Sequence, residues 1–289
     1  MTKPHPPHLH RLMVENSVSA ALREDLGLAG DVTSDATIPP DTMATAVMNC
    51  RENGVLAGLE AAATAFQLID PTAKFEALAQ DGDTLVPGQN VARISGNARA
   101  LLSAERVALN YICHLSGIAS LTAQYAKAIA HTKAKVCCTR KTIPGLRALE
   151  KYAVKCGGGA NHRFGLDDAI LIKDNHIAVA GGVREAISAA RVFAGHLIKI
   201  EVEVDTLEQL EIALKAGPDV VMLDNMTTDQ LHEGVKMVAG RIPIEASGNV
   251  NLETIAAIAE TGVDMISTSK ITMSAPTLDL GLDIVIGNA

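Results

Sequence analysis

The sequence predicts an α/β protein in two parts, a small N-terminal α+β domain followed by a parallel α/β barrel of about six strands. Three observations carry that reading. From Lys135 onward an apolar strand-like run, a loop and a helical pattern repeat six times, the rhythm of parallel strands joined by crossover helices. In the run IKIEVEV, Lys199, Glu201 and Glu203 share one face, while Ile198, Ile200, Val202 and Val204 share the other. A strand covered on both faces in an open sheet would be apolar throughout, so the charged face predicts a polar barrel interior. Before residue 104 the rhythm differs: short β-like runs alternate with turn signals, as in a small α+β domain.

Taken in order, a helix over 14–24 opens the chain, and β runs follow at 45–51, 54–59, 75–79 and 91–95. The turn-rich DGDTLVPGQN separates the last two runs. A long apolar helix spans 104–130, with a break expected at Gly117, where a glycine lowers helix propensity. The domain boundary is placed at 110/111, with the barrel over 111–275. Barrel strands are expected at 135–139, 169–173, 198–204, 220–224, 242–247 and 265–268, with helices at 182–193, 206–216, 227–238 and 251–260.

Composition narrows the function classes. The 289 residues carry a formal net charge of −8, which argues against general nucleic-acid binding, since phosphate backbones demand a broad basic surface. No apolar run reaches the length of a membrane span. The opening MTKPHPPHLHRLM lacks the apolar stretch of a signal peptide. Five cysteines form no CxxC pair, which fits reduced structural thiols in a cytoplasmic protein. Aromatics are 2% of residues with no Trp, so the core must be built from Ala, Val, Leu and Ile.

Functional groups collect at the expected C-terminal strand ends, where barrel enzymes place their sites. The first end carries Thr139, Arg140 and Lys141; the second carries Lys173, Asp174, Asn175 and His176. Glu203, then Asp224 and Asn225, then Glu245 and Ser247, then Ser267, Thr268 and Ser269 follow on the next four. In an acidic chain, Arg140, Arg163 and Lys173 suit the carboxylates of an anionic substrate, and arginine offers a two-pronged fork. Glu203 and Asp224 suit a hydrated Mg²⁺, which takes few protein carboxylates. Ser247-Gly248-Asn249 before the helix at 251 reads either as a phosphate cradle or as a simple helix N-cap. Gly157 to Gly159 reads as a tight turn or as a mobile loop carrying His162 and Arg163. Arg147, Lys151 and Lys155, spaced by four, read as a solvated helix stripe, and Glu201 as a partner of Lys199 or a second acid beside Glu203.

The segments TRKTIPGLR (139–147), NHRFGLDD (161–168), ILIKDNH (170–176), EVEVDTLEQL (201–210), VMLDN (221–225), EASGN (245–249) and SAERVALN (103–110) resemble the quinolinate phosphoribosyltransferases. That resemblance spans nearly the whole chain. It implies an incomplete barrel and a C-terminal tail (about 276–289) that returns to the first domain. It implies formation of nicotinate mononucleotide, pyrophosphate and CO2 from quinolinate and phosphoribosyl pyrophosphate, with Mg²⁺, on the de novo route to NAD. Arg140, His162, Arg163 and Lys173 would line the quinolinate pocket, with Arg106 arriving from the partner subunit of a homodimer; whether dimers pair further into a hexamer is left open by the sequence. Lys141, Glu203, Asp224, Ser247 and Gly248 would engage phosphoribosyl pyrophosphate and its Mg²⁺, the metal through water. Asn249, Thr268 and Ser269 extend the phosphate side, although Ser269 and Met273 stand where the family often has Gly and His. A barrel transferase acting on nicotinate, a Schiff-base aldolase using Lys173 or Lys270, and a non-catalytic binding protein are the competing readings.

Overall fold

The computed structural model describes residues 9–285, ordered along the chain as follows. First come α1 (Arg11–Leu26), α2 (Val32–Thr37), β1 (Met43–Cys50), β2 (Gly54–Val55), α3 (Leu59–Ile69), β3 (Lys74–Ala77), β4 (Thr84–Leu85), β5 (Asn90–Asn97) and the long α4 (Ala98–Ala128). Next are β6 (Lys135–Cys137), α5 (Arg147–Cys156), β7 (Ile170–Ile172), α6 (Asp174–Ala180), α7 (Val183–Phe193), β8 (Ile200–Val204) and α8 (Leu207–Ala216). The remainder is β9 (Val220–Asp224), α9 (Thr228–Val238), β10 (Ile244–Ser247), α10 (Ile255–Glu260), β11 (Met265–Ser267), α11 (Lys270–Met273) and β12 (Leu280–Val285). Two compact units result: one from the chain up to 123 with 143–158 and the stretch from 274 onward, the other from 124–142 with 159–273.

The first unit is built on an antiparallel sheet in the order β12-β1-β5-β3. Period-two burial on β1 puts Ala44, Ala46, Met48 and Cys50 inside, so one face takes the core. Val14, Val18 and Leu22 make the apolar stripe of α1, spaced at one helical turn. Helix α3 has no counterpart among the expected elements, and the β run expected at 54–59 shrinks to two residues. A tertiary group starts this helix: Asp81 accepts the N–H groups of Gly58 and Leu59 at 3.0 and 3.2 Å, satisfying donors that a helix start leaves open. Helix α4 runs unbroken through Gly117 and through residues 110 and 111. The glycine answers a packing demand, because a Cβ there would lie 2.0 Å from the Pro276 carbonyl oxygen.

The stripe on α5 is not a solvated one. Lys151 and Glu150 are fully buried. Glu150 meets His114 Nε2 at 3.0 Å and the Ile143 N–H at 3.4 Å, which supplies the partners a buried carboxylate needs.

The second unit holds a six-stranded parallel sheet in the order β6-β11-β10-β9-β8-β7. From β7 to β11 each strand neighbours the next in sequence, so the winding never reverses as it would in a doubly wound sheet. Strand β6, first in the chain, pairs with the last, β11, which is the closing seam of a barrel. Between β6 and β7 no ladder forms, so the barrel is incomplete. Ala160 partly covers the open edge of β6 through a bridge to Cys137. Along β8 the predicted alternation holds: Ile200, Val202 and Val204 are fully buried among apolar neighbours, while Glu201 and Glu203 take the other face. Val221 and Leu223 on β9, with Ile244 and Ala246 on β10, continue the apolar outer layer.

Candidate active site

Two cavities separate by their chemistry. One, about 430 Å³ in the first unit, has Glu24, Asp25, Asn110, Tyr111 and His114 in its wall and no Lys or Arg. The other, about 330 Å³ in the second unit, gathers four cationic side chains, Arg140, Lys141, Arg163 and Lys173. Although smaller, it alone has the charge to hold an anion.

Its wall is assembled strand by strand from the inward faces. Beyond β6 come Thr139, Arg140 and Lys141; Leu171 and Lys173 come from β7 and its end, Glu203 from β8, Met222 from β9, Glu245 and Ser247 from β10, and Ser267 from β11. The loop 161–168 adds His162 and Arg163. This loop is held by Asp168, which accepts the N–H groups of Phe164 and Gly165 at 2.7 and 3.0 Å. Thr139 Oγ1 accepts the Lys141 N–H, and the Lys141 carbonyl accepts from Thr272. Lys141 itself is exposed, as the outermost cation of the four.

The two arginines have unused donors. Arg163 gives one guanidinium N–H to the Ala169 carbonyl at 3.0 Å, yet Nε of Arg163 and Nε of Arg140 are buried with no hydrogen-bond partner among the described residues. Burial, and then the charge of Arg140, pull Arg163 below its ordinary value. Each of these two like charges thus keeps an open Nε donor, and a carboxylate fits such a fork. Lys173 takes a partner within the protein, an ion pair with Glu203.

Below the cations lies an acidic floor. His162 Nε2 stands 3.0 Å from Glu201 Oε2 and 3.8 Å from Glu245 Oε1. Glu201 and Glu245 are nine-tenths or more buried, and Oε1 of each has no hydrogen-bond partner among the described residues. Burial, then the Glu201 charge, push the Glu245 carboxyl up to about 7, with His162 opposing. The expectation that Glu201 balances Lys199 is corrected, because Lys199 pairs with Asp219 at 3.5 Å.

The other anticipated residues divide. Asp224 ends β9 in register with Ser247 and accepts from the Asn225 side chain at 2.6 Å. Gly248 and Asn249 follow in left-handed backbone, φ 93° and 54°; a Cβ at Gly248 would come within 2.9 Å of the Asn225 backbone nitrogen. The helix expected from 251 begins at Ile255 instead, because Asn251 turns the chain by accepting the N–H groups of Glu253 and Thr254. Any phosphate cradle at 247–249 is therefore a loop, not a helix N-terminus. Thr268 is buried and gives its N–H to the Cys137 carbonyl, with Ser269 half-buried beside it. Arg106 is exposed on α4, in the first unit and outside the twelve lining residues. His176 faces outward and accepts the Lys173 N–H at 2.9 Å, so it caps α6. Leu171 and Met222 lie inside the segments ILIKDNH and VMLDN but not among the expected site residues; they join the wall, as does Ser267 from a strand end, and strand alternation alone puts all three on the inward face.

An incomplete parallel barrel whose strand ends converge four cations beside carboxylates defines an enzyme class that handles a multiply anionic small molecule. The family description "Quinolinate phosphoribosyl transferase, C-terminal domain" matches residues 118–283, and its N-terminal counterpart matches 31–116. A "probable nicotinate-nucleotide pyrophosphorylase [carboxylating]" of Bacillus subtilis is 42% identical, over 97% of this chain and 96% of that protein. One of the same name from Synechocystis is 48% identical over 81% of each. The crystal structure of NadC from Streptococcus pyogenes superposes with a TM-score of 0.94 at 42% identity, over 98% of this chain and all of the other. The chain belongs to the quinolinate phosphoribosyltransferase family.

Proposed function

We propose that this protein transfers the phosphoribosyl group of phosphoribosyl pyrophosphate to quinolinate with decarboxylation, giving nicotinate mononucleotide, pyrophosphate and CO2 for de novo NAD synthesis. The observation that carries the reading is the pair of buried, unpartnered Nε donors on Arg140 and Arg163. A buried polar group left unpaired costs about 1–3 kcal/mol, and a carboxylate at each fork removes that cost. With Lys173 in the same wall, the cations outnumber what a single carboxylate would use, which favours a diacid.

The chemistry follows from the substrates. Breaking the ribose–pyrophosphate bond leaves an oxocarbenium-like ribose, and Lys141 would stabilise the departing oxygens. The pyridine nitrogen attacks and becomes cationic. The carboxylate on the adjacent carbon then leaves as CO2; the electron pair it leaves stays on that carbon, stabilised by the neighbouring positive nitrogen, and takes up a proton to form the C–H bond of nicotinate mononucleotide. Ser247, Gly248 and Asn249, with Thr139, Thr268 and Ser269, would border the phosphate groups. Glu203 and Asp224 would hold Mg²⁺ through water; two carboxylates on neighbouring strands suit a cation that keeps most of its water. Bound there, the metal would neutralise charge on the pyrophosphate.

We read the working form as a cytoplasmic homodimer in which Arg106 of one subunit completes the site of the other. Mixing inactive Arg106→Ala and Lys141→Ala proteins should then restore partial activity; a mixture that stays inactive after confirmed subunit exchange sinks the shared site. Incubation with quinolinate, phosphoribosyl pyrophosphate and Mg²⁺ should release CO2 and nicotinate mononucleotide in equal amounts. No product under those conditions overturns the reading.

A further inference from the structure

His162 lies between the acidic floor and the arginine that faces the cavity, and both of its ring nitrogens are engaged. Nδ1 accepts the backbone N–H of Arg163 at 2.7 Å. A neutral imidazole nitrogen that accepts carries no proton, so the proton resides on Nε2. Nε2 faces Glu201 Oε2 at 3.0 Å, hydrogen-bond distance, and Glu245 Oε1 at 3.8 Å. The ring therefore presents Nε2 to the Glu201 carboxylate at ion-pair distance and accepts from the residue that carries the substrate-facing guanidinium. Arg163 is further tied by one guanidinium N–H to the Ala169 carbonyl at 3.0 Å. Its backbone and its side chain are thus each held by a directional contact.

A metal ion is the obvious rival occupant, since the donor atoms of His162, Glu201 and Glu245 all lie within 4.8 Å of one another. Metal-bound histidine donates its second ring N–H to an acceptor. Here the second nitrogen meets an N–H donor, which would leave two hydrogens facing each other. The ring orientation suits a hydrogen-bond chain and opposes a metal centre.

We propose that Glu201 is a positioning residue for substrate recognition: through the 3.0 Å contact of its carboxylate with His162 Nε2, it fixes the ring that holds Arg163 in place for a quinolinate carboxylate. Glu245, whose Oε1 lies 3.8 Å from the same Nε2, flanks that contact. The proposal rests on the reading of Arg163 as a quinolinate ligand, and its test separates the two. Titration with quinolinate, and separately with pyrophosphate plus Mg²⁺, is compared among wild type, Arg163→Ala, Glu201→Gln and Glu201→Leu, along with steady-state kinetics.

A glutamine keeps an accepting oxygen, so Glu201→Gln should hold quinolinate affinity within about threefold, whereas Glu201→Leu should lose about tenfold or more. In both, kcat and pyrophosphate affinity should stay within about threefold, since the lost contact acts on quinolinate binding. Equal losses for both ligands, or an unchanged quinolinate KM in Glu201→Leu, overturn the proposal by leaving Glu201 a merely structural or idle role. If Arg163→Ala also keeps quinolinate affinity, the function assigned to Arg163 fails first; if it loses affinity while Glu201→Leu does not, only the present proposal fails. Should Glu201→Leu not fold, ¹⁵N spectra of the imidazoles in the wild-type protein decide. A His162 resonance of the Nε2–H tautomer supports the chain of contacts. The Nδ1–H tautomer, or one tightly held transition-metal ion per chain that Glu201→Gln releases, overturns it.

Discussion

Both units bury charge, and they treat it in opposite ways. In the first unit Glu150 is fully buried but answered by His114 and the Ile143 N–H. Asp81 likewise receives Tyr152 at 2.7 Å together with the Gly58 and Leu59 N–H groups. The buried side-chain atoms left without a partner in that unit, among the described residues, are two hydroxyls, Thr64 Oγ1 and Thr122 Oγ1. In the barrel unit the corresponding atoms all belong to charged groups: Arg140, Arg163, Glu201 and Glu245. A buried ion costs several kcal/mol unless it is paired and hydrogen-bonded. The first unit meets that cost internally to hold its fold. The barrel leaves it partly open, as a site awaiting a ligand does.

The contrast breaks most sharply at Glu150. Glu150→Ala strips a fully buried partner from His114 and the Ile143 N–H at once. We expect a stability loss of about 3 kcal/mol or more, since hydrogen bonds to a charged group contribute about 1.5–3 kcal/mol each. Quinolinate affinity of the folded fraction should stay within about twofold, because no ligand-facing donor changes. Urea denaturation alongside calorimetric titration checks both halves. A stable Glu150→Ala protein with lost quinolinate affinity would assign the first unit's buried charge to function.

The reverse pattern belongs to Arg163. Arg163→Ala should cost quinolinate binding about 1.5–3 kcal/mol while stability holds or rises, since an unpaired buried donor disappears. Nicotinate, with one carboxylate fewer, should bind worse than quinolinate by about 1–3 kcal/mol; equal kcat/KM for the two acids would remove the diacid assignment. Asp224→Ala should instead weaken binding of phosphoribosyl pyrophosphate with Mg²⁺ and spare quinolinate. Glu203 is a less clean probe of that division, because its ion pair with Lys173 ties the metal side to the acid side.

Glu245 sharpens the comparison through pH. Its carboxyl is raised to about 7, by burial first and then by the Glu201 charge. Between the unfolded value and 7 the native state binds more protons than the unfolded state, so stability falls as pH rises through that window. A tenfold difference in proton affinity between the two states corresponds to about 1.4 kcal/mol. Glu245→Gln should flatten the decline between pH 5 and 7 in a denaturation series. An unchanged slope would show that Glu245 ionises freely and that the floor is wetter than its burial indicates.

What the sequence discloses tracks how local the cause is. Lys199, Glu201 and Glu203 alternating against Ile and Val exposed the barrel interior directly, because strand geometry is a local property. The cations of the site were legible for the same reason: they sit at strand ends or in a motif-rich loop. Helix α3 was not, since Asp81, more than twenty residues away, provides its start. Gly117 misled because its demand comes from the chain at Pro276. Lys151 looked solvated because spacing along one helix says nothing about what packs against it. Glu201 was ambiguous until three-dimensional proximity chose His162 over its neighbour in sequence.

The smallest expected effect tests that last choice. Lys199 lies on β8's charged side in sequence, two residues from Glu201, yet its ammonium meets Asp219 at 3.5 Å and is largely exposed. Asp219 does not depend on it, because Arg191 reaches the same carboxylate at 3.1 Å and the Ile200 N–H donates at 2.9 Å. Removing one exposed arm of such a pair changes stability by about 0.2–1 kcal/mol. Lys199→Ala should therefore shift a urea midpoint slightly and leave quinolinate affinity untouched. If it lowers that affinity, Lys199 and Glu201 communicate after all, and the inward carboxylate does not belong to His162 alone.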